Sequence, residues 1–248
     1  MTFLLVGYGR MGREVESVLT TRGHEVSARI DPVDEEADCK TLSTKLLESA
    51  DAAIEFSLAD AVLTNAELYL QTNTPAVVGT TGWENQRDEV ASLFAKKGSY
   101  LWGSNFSVGV QIFLHLVEKT TAMADKLGTY DVLSYEIHHK HKKDSPSGTA
   151  LTVGERILRG ASNKTRIVTS RLDRPIEPEE VHVSSVRGGS IQGIHTLLLD
   201  SEVDTIEMKH SAKNRGGFAL GAVLATEWLI GRKGFYSVED FFAATMNS

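Results

Sequence analysis

Thr2–Asp31 reads TFLLVGYGRMGREVESVLTTRGHEVSARID, and this stretch decides the fold. Thr2 to Val6 is a short apolar run, the pattern of a strand buried on both faces of a parallel sheet. Gly7-Tyr8-Gly9-Arg10-Met11-Gly12 follows at once as a G-x-G-x-x-G, and the residues through Thr21 suit a helix. Gly23 ends that helix, and Glu25 to Ile30 has the texture of a second strand closed by Asp31. A lone G-x-G-x-x-G is weak evidence. Strand, glycine turn, helix, strand and terminal acid in that order are specific, because they rest a pyrophosphate on the helix start and give the acid to the adenosine ribose. Gly7, Gly9, Arg10, Met11, Gly12 and Asp31 are therefore candidate cofactor residues.

The residues after Asp31 bear on which dinucleotide binds. A free ribose offers two hydroxyls to a carboxylate, whereas a 2′-phosphate brings about −1.5 to −2 charges. Pro32, Asp34, Glu35, Glu36 and Asp38 follow, with Lys40 the first base, and Arg29 is expected on the face opposite Ile30. NADH is the expected cofactor, with NADPH second. The competing reading is that these acids form only a solvated loop.

Outward from this unit the pattern repeats. Ala52–Phe56, Pro75–Val78 and Tyr100–Trp102 read as strands, separated by helical stretches at 59–71 and 84–97. Gly79-Thr80-Thr81-Gly82 is a small-residue turn at a strand's carboxyl end, where open α/β sheets bind ligands. Ser104-Asn105-Phe106 begins a polar segment that either lines a nicotinamide site or joins two domains. Beyond the amphipathic helix at 110–126 the texture changes to strands at 131–138, 166–170, 181–187, 193–200 and 204–210. The expected fold is α/β. It has a Rossmann-type doubly wound parallel sheet domain (1–106 and 216–248) and an inserted α+β substrate domain with a mainly antiparallel sheet (107–215). Lys213–Gly217 reads as a hinge.

Composition narrows the function classes. The 248 residues are 41% hydrophobic and 24% charged with a formal net charge of −7, which argues against nucleic acid as a partner. Cys39 is the single cysteine, so no disulfide framework exists and a reducing cytoplasm is expected. No run suits a signal peptide or a membrane span.

Against that acidity stands Tyr135–Ala150, YEIHHKHKKDSPSGTA, where three histidines and three lysines precede a turn. Ser147 is a good N-cap for a helix from about Gly148 to Leu158. The N–H groups of Gly148 and Thr149 and the positive end of the helix dipole form an anion cradle. A nearby histidine can pass a proton at neutral pH. The bland readings are a solvated basic loop and a histidine metal site at 138, 139 and 141. The lysines oppose the metal, and none is expected.

Together, GYGRMG (7–12), GTTG (79–82), SNFSVGV (104–110) and Glu136–Ala150 resemble the 4-hydroxy-tetrahydrodipicolinate reductase family, also called dihydrodipicolinate reductase. Arg187, Gly189, Gly193-x-His195 and Phe218-Ala219-x-Gly221-Ala222 extend the likeness over nearly the whole chain. The resemblance implies a hydride transfer from NADH or NADPH that makes tetrahydrodipicolinate in lysine and diaminopimelate biosynthesis. His138 would then be the proton donor, and Lys142 would hold substrate and stabilise charge. His139, Ser147, Gly148 and Thr149 would bind the carboxylates. Gly7–Gly12, Asp31, Gly79–Thr81 and Ser104–Phe106 would hold the cofactor. It also implies a homotetramer joined through substrate-domain sheets. Pro32 replaces a common family arginine, Glu55-Phe56-Ser57 replaces Asp-Phe-Thr/Ser, and the stretch between Asp31 and Asp51 is short. Another two-domain NAD-dependent dehydrogenase of amino-acid metabolism and a non-catalytic dinucleotide sensor are the rival readings.

Overall fold

Alternation along Thr2–Val6 (β1) builds two cores at once. In the computed structural model, which describes residues 1–246, Phe3 and Leu5 enter one buried cluster and Leu4 and Val6 another. A strand that is apolar on both faces must be covered on both faces, which is the doubly wound arrangement. After β1 come α1 (Arg10–Thr21), β2 (Glu25–Ile30), α2 (Thr44–Leu47), β3 (Ala52–Glu55), α3 (Val62–Thr72), β4 (Ala76–Val78), α4 (Arg87–Phe94) and β5 (Ser99–Trp102). The chain then runs through α5 (Val108–Leu127), β6 (Asp131–His138), α6 (Gly148–Gly160), β7 (Arg166–Val168), β8 (Glu180–Arg187), β9 (Ile194–Asp200) and β10 (Thr205–Ser211). It closes with α7 (Gly216–Leu229), β11 (Gly234–Ser237) and α8 (Val238–Met246).

Two compact units result: Met1–Val108 with the chain from Arg215 onward, and Gly109–Asn214. The first holds a six-stranded sheet in the order β11-β5-β4-β3-β1-β2, all neighbours parallel. Val15 and Leu19 of α1, Ala222 and Val223 of α7 and Phe241 of α8 cover one face, and Tyr69 of α3 and Phe94 of α4 cover the other. Each fully buried Val, Leu or Phe among them contributes roughly 1.5–3 kcal/mol. β1 has β2 on one side and β3 on the other, so the strand order reverses there. The crevice beyond the carboxyl ends of β1 and β3 is the ligand position in such sheets. β11 was not expected as a strand. It pairs parallel with β5 at the sheet edge and leads into α8, where Ser237 and Asp240 exchange capping bonds of 2.8 and 3.2 Å.

In the second unit the sheet order is β10-β9-β6-β8-β7. The β10–β9 and β9–β6 pairs are antiparallel, while β6–β8 and β8–β7 are parallel. The antiparallel character expected from the sequence thus holds on one side of β6. On the other, α6 carries the chain over so that the next strands run in the same direction. Val110, Phe113 and Val117 of α5 and Ala150, Val153 and Ile157 of α6 bury one face of this sheet. The other face leaves Leu133 36% and Val186 52% exposed.

Candidate functional site

In the first unit each glycine of the Gly7–Gly12 turn has its own steric reason. Gly7 has φ +91°, and a Cβ there would lie 2.1 Å from the Phe56 carbonyl oxygen. At Gly12 a Cβ would lie 2.3 Å from the Gly7 oxygen, so only glycine lets α1 approach its own turn. At Gly9, the N-cap of α1, a Cβ would meet nothing within 4 Å. That open place at a helix start fits a pyrophosphate. A cavity of about 440 Å³ adjoins it, lined by Gly7, Gly9, Asp31, Lys40, Phe56 and Ser57 among others. Arg10 is exposed, and Met11 packs on the core beneath.

Asp31 accepts from the Tyr8 N–H on one oxygen (2.8 Å) and from the Val33 and Asp34 N–H groups on the other (2.9 Å each). Burial pushes its pKa up, but these three donors outweigh it and hold the carboxyl below its usual range. The carboxylate thus faces the cavity as an ionised acceptor. The arginines nearby are committed elsewhere. Arg13 pairs with Asp34 at 2.8 Å and with Glu36, and Arg29 pairs with Glu16 and with Asp38 at 3.1 Å. Lys40 donates to the Asp34 carbonyl at 2.6 Å while lining the cavity.

The second group of expected cofactor residues divides. A Cβ on Gly79 would lie 2.1 Å from the Phe56 ring. Thr80 is buried. Its hydroxyl accepts from the Ser57 N–H (2.8 Å), and its carbonyl accepts from Trp83 Nε1 (2.8 Å) and Trp102 Nε1 (3.1 Å). Thr81 and Ser104 are exposed, and Asn105 Oδ1 accepts from the Ser107 N–H at 3.0 Å. Phe106 turns its ring into the core, edge-on to Phe56, and Gly221 makes room for its carbonyl. Its side chain is therefore scaffold. Glu55 is scaffold too, a buried acid accepting from Asn65 Nδ2 (2.8 Å) and Tyr69 OH (2.7 Å) and pushed up in pKa by burial.

In the second unit, Tyr135–Ala150 folds around a residue that had no assigned role. Glu136 and His138 are two apart on β6, so both side chains fall on the face that α6 covers. Glu136 is 0% exposed. One oxygen accepts from the Ser147 N–H (2.8 Å), Ser185 Oγ (2.9 Å) and Arg187 Nη2 (2.7 Å). The other accepts from Ser147 Oγ and lies 3.3 Å from His138 Nε2 and 3.8 Å from His195 Nδ1. Burial works to raise the Glu136 pKa, but the donors from Ser147, Arg187 and Ser185 bring it to about 2. Burial lowers the pKa of both imidazoles, that of His195 to about 4, with the Glu136 charge opposing.

Ser147 was expected to bind substrate. It instead spends its N–H and hydroxyl proton on Glu136, while its oxygen accepts from the Ala150 N–H at 3.1 Å as the helix cap. Gly148 is the exposed first residue of α6, and a Cβ there would meet nothing within 4 Å. Thr149 is half-buried beside it. Lys142 pairs with Asp144 at 2.9 Å, and its charge acts on His138. His139 donates its backbone N–H to the Ile191 carbonyl (2.8 Å), and its ring Nδ1 is buried without a partner. The structure thus gathers His138, Lys142 and the α6 start around Glu136. Glu136 could have been found from its two-residue spacing to His138. Ser185 could not, and Arg187, noted only as part of the family likeness, could not be placed on Glu136, because strand pairing alone brings them in.

Among the described residues, the cluster with metal-ligand spacing is Glu136, His138 and His195, whose ligand atoms lie within 4.8 Å of one another, and not the 138/139/141 run. Arg187 on the Glu136 carboxylate and Lys142 nearby place two positive charges against a dication there.

Known proteins bear on this arrangement. Residues 1–106 match the family model described as dihydrodipicolinate reductase, N-terminus, and residues 109–242 match its C-terminus counterpart. A 4-hydroxy-tetrahydrodipicolinate reductase of Christiangramia forsetii is 36% identical over 241 residues, 97% of each chain. Another from Zymomonas mobilis is 34% identical over 243 residues, covering 96% of this chain and 94% of that protein. A dipicolinate-bound dihydrodipicolinate reductase from Paenisporosarcina sp. TG-14 superposes with a TM-score of 0.75 at 20% identity. The match covers 96% of this chain and 97% of that one, a likeness of fold.

Proposed function

Because this chain belongs to the dihydrodipicolinate reductase family of NAD(P)H-dependent enzymes, we propose that it reduces the cyclic imine dicarboxylate derived from 4-hydroxy-tetrahydrodipicolinate. The product is tetrahydrodipicolinate, in lysine and diaminopimelate biosynthesis, and NADH is preferred to NADPH. One observation carries the reading: the start of α6 is open at Gly148 on the loop that also bears Lys142 and follows His138.

Gly148 and Thr149 take one substrate carboxylate on their N–H groups, with Lys142 and His139 flanking the diacid. The Ser147 cap holds this helix start in place. The Gly7–Gly12 turn, Asp31, Gly79–Thr81 and the Ser104–Phe106 segment hold the dinucleotide, which supplies the hydride when bound. His138 gives the balancing proton to the ring carbon next to the one reduced and regains it from solvent. Burial keeps the free imidazole largely neutral at pH 7. Arrival of a doubly negative ligand favours its protonated form. The NADH preference rests on the carboxylates that engage Arg13 and Arg29, which leave Lys40 as the base among the cavity-lining residues, itself bonded to the Asp34 carbonyl.

No helix among the described residues is long and apolar enough to cross a membrane. A cytoplasmic homotetramer is the assembly we propose, its contacts made by the uncovered sheet face at Leu133 and Val186. The test is loss of NADH absorbance on adding substrate generated in situ, with pyridine-2,6-dicarboxylate as competitor. Turnover inhibited competitively by that diacid is expected. Absence of turnover refutes the activity, and a higher kcat/KM with NADPH refutes the preference.

A further inference from the structure

Strand pairing lays a polar row across the buried face of the second sheet: Ser185 of β8, Glu136 of β6, His195 of β9 and His210 of β10 stand opposite one another. Glu136 is the one acid of that row, and it joins two parts of the site that the sequence keeps apart. Its carboxylate receives both donors of Ser147, which caps α6, and lies 3.3 Å from His138 Nε2. The near approach to His138 is not a hydrogen bond, since that nitrogen is buried without a partner. The carboxylate therefore acts on the ring through its charge and not through a hydrogen bond. From the opposite side the ring leans on Gly193, where a Cβ would lie 2.8 Å from His138 Cε1. Stability alone gives no reason for such a carboxylate, because buried ion pairs are often neutral or unfavourable against apolar substitutes.

We propose that Glu136 is a positioning residue for the proton transfer: its sealed carboxylate ties the His138 ring and the start of α6 to one point and supplies the negative charge that offsets burial and favours the ring's protonated form once substrate is bound. The proposal rests on His138 being the proton donor. The other charged groups that act on that imidazole most strongly are basic: Arg187 from β8 and Lys142 from the following loop, the latter paired with Asp144, while His195 of β9 packs beside it with His210 beyond. The Gln192 backbone adds a hydrogen bond that favours the charged form. Removing the Glu136 charge leaves the proton opposed by burial and by these cations. Removing Arg187 does the reverse, because Arg187 both neutralises Glu136 and repels the imidazolium.

The experiment is the pH profile of kcat/KM for wild type, Glu136→Gln, Glu136→Asp, Arg187→Gln and His138→Gln. Glu136→Gln is expected to lower kcat on the order of 10²-fold. It should also shift the basic limb, where activity falls as pH rises, down by about one unit or more, with KM for NADH unchanged. Glu136→Asp recovers most of that limb, and Arg187→Gln moves it upward. A merely structural role lowers activity and Tm in both Glu136 and Arg187 variants and leaves the limb in place, and that result overturns the proposal. If Glu136→Gln does not fold, the direction of the Arg187→Gln shift decides, and a downward or absent shift overturns it. His138→Gln separates the premise: a limb that survives in this variant removes His138 as donor whatever the Glu136 variants do.

Discussion

Replacing Gly148 with alanine should move stability and affinity in opposite directions. A Cβ at this position meets nothing within 4 Å, and Gly148 is not among the glycines held at positive φ. Alanine therefore fits without strain, and the narrower unfolded ensemble stabilises the protein by about 0.5 kcal/mol. That corresponds to a Tm higher by about 1–2 °C. The same empty space is where the substrate carboxylate sits if the helix start is its cradle. A methyl group there forces the anion off the N–H, and loss of one hydrogen bond to a charged group costs about 1.5–3 kcal/mol. The dissociation constant for pyridine-2,6-dicarboxylate should then rise roughly 10- to 150-fold. Calorimetric titration gives the affinity and a thermal melt gives the stability. Wild-type affinity in Gly148→Ala would refute the cradle, and a Tm lowered by several degrees would refute the open space.

Further outcomes follow from the geometry. His138→Gln should lower kcat on the order of 10²-fold or more with little change in KM. In the wild type kcat/KM should climb as pH falls toward the ordinary imidazole value, because the donor must be protonated and burial resists this; steady-state rates across pH check both. Gly9→Ala should weaken NADH binding and leave the melt and the diacid affinity unchanged. Gly12→Ala, whose Cβ would lie 2.3 Å from the Gly7 oxygen, should instead cost about 1–3 kcal/mol of stability. The last concerns acid. His195, pushed down to about 4, stays neutral in the folded chain while its unfolded counterpart takes a proton below 6.5, so stability falls as pH drops from 6.5 toward 4. Glu136, held at about 2, adds a loss between 4.5 and 2. Urea midpoints across pH should show both, His195→Gln should flatten the upper window, and a level curve between 6.5 and 4 would exclude the first.

The dinucleotide turn was legible because its determinants are local: strand, Gly7–Gly12, helix and Asp31 lie within one stretch of chain. The same holds for the α6 start, where Pro146, Ser147 and Gly148 announce a helix by themselves. What was hidden depends on pairing between distant segments. Ser185, Arg187 and His195 reach Glu136 only through the registers of β8 and β9 on β6. β11 escaped because Gly234–Ser237 is four half-buried residues with no alternation to read, and its strand character comes from β5 beside it. The Phe106 ring was misplaced by the sequence for another reason, whatever its backbone does for the dinucleotide. An aromatic in a polar loop looks like a ligand platform, yet Gly221 lets its carbonyl nestle against α7 and the ring falls inward.

The Thr80 knot has an optical consequence. Trp83 and Trp102 both donate to its carbonyl, Trp228 lies in α7, and these three are all the tryptophans of the chain. Every indole thus belongs to the first unit and none to Gly109–Asn214. Emission excited selectively in indole follows the half proposed to carry the dinucleotide, and a cofactor that disturbs the Gly79–Gly82 turn acts directly on two of its three sources. Melting confined to the other half leaves that signal unchanged, so a loss of circular dichroism that precedes any change in tryptophan emission identifies which half gives way first.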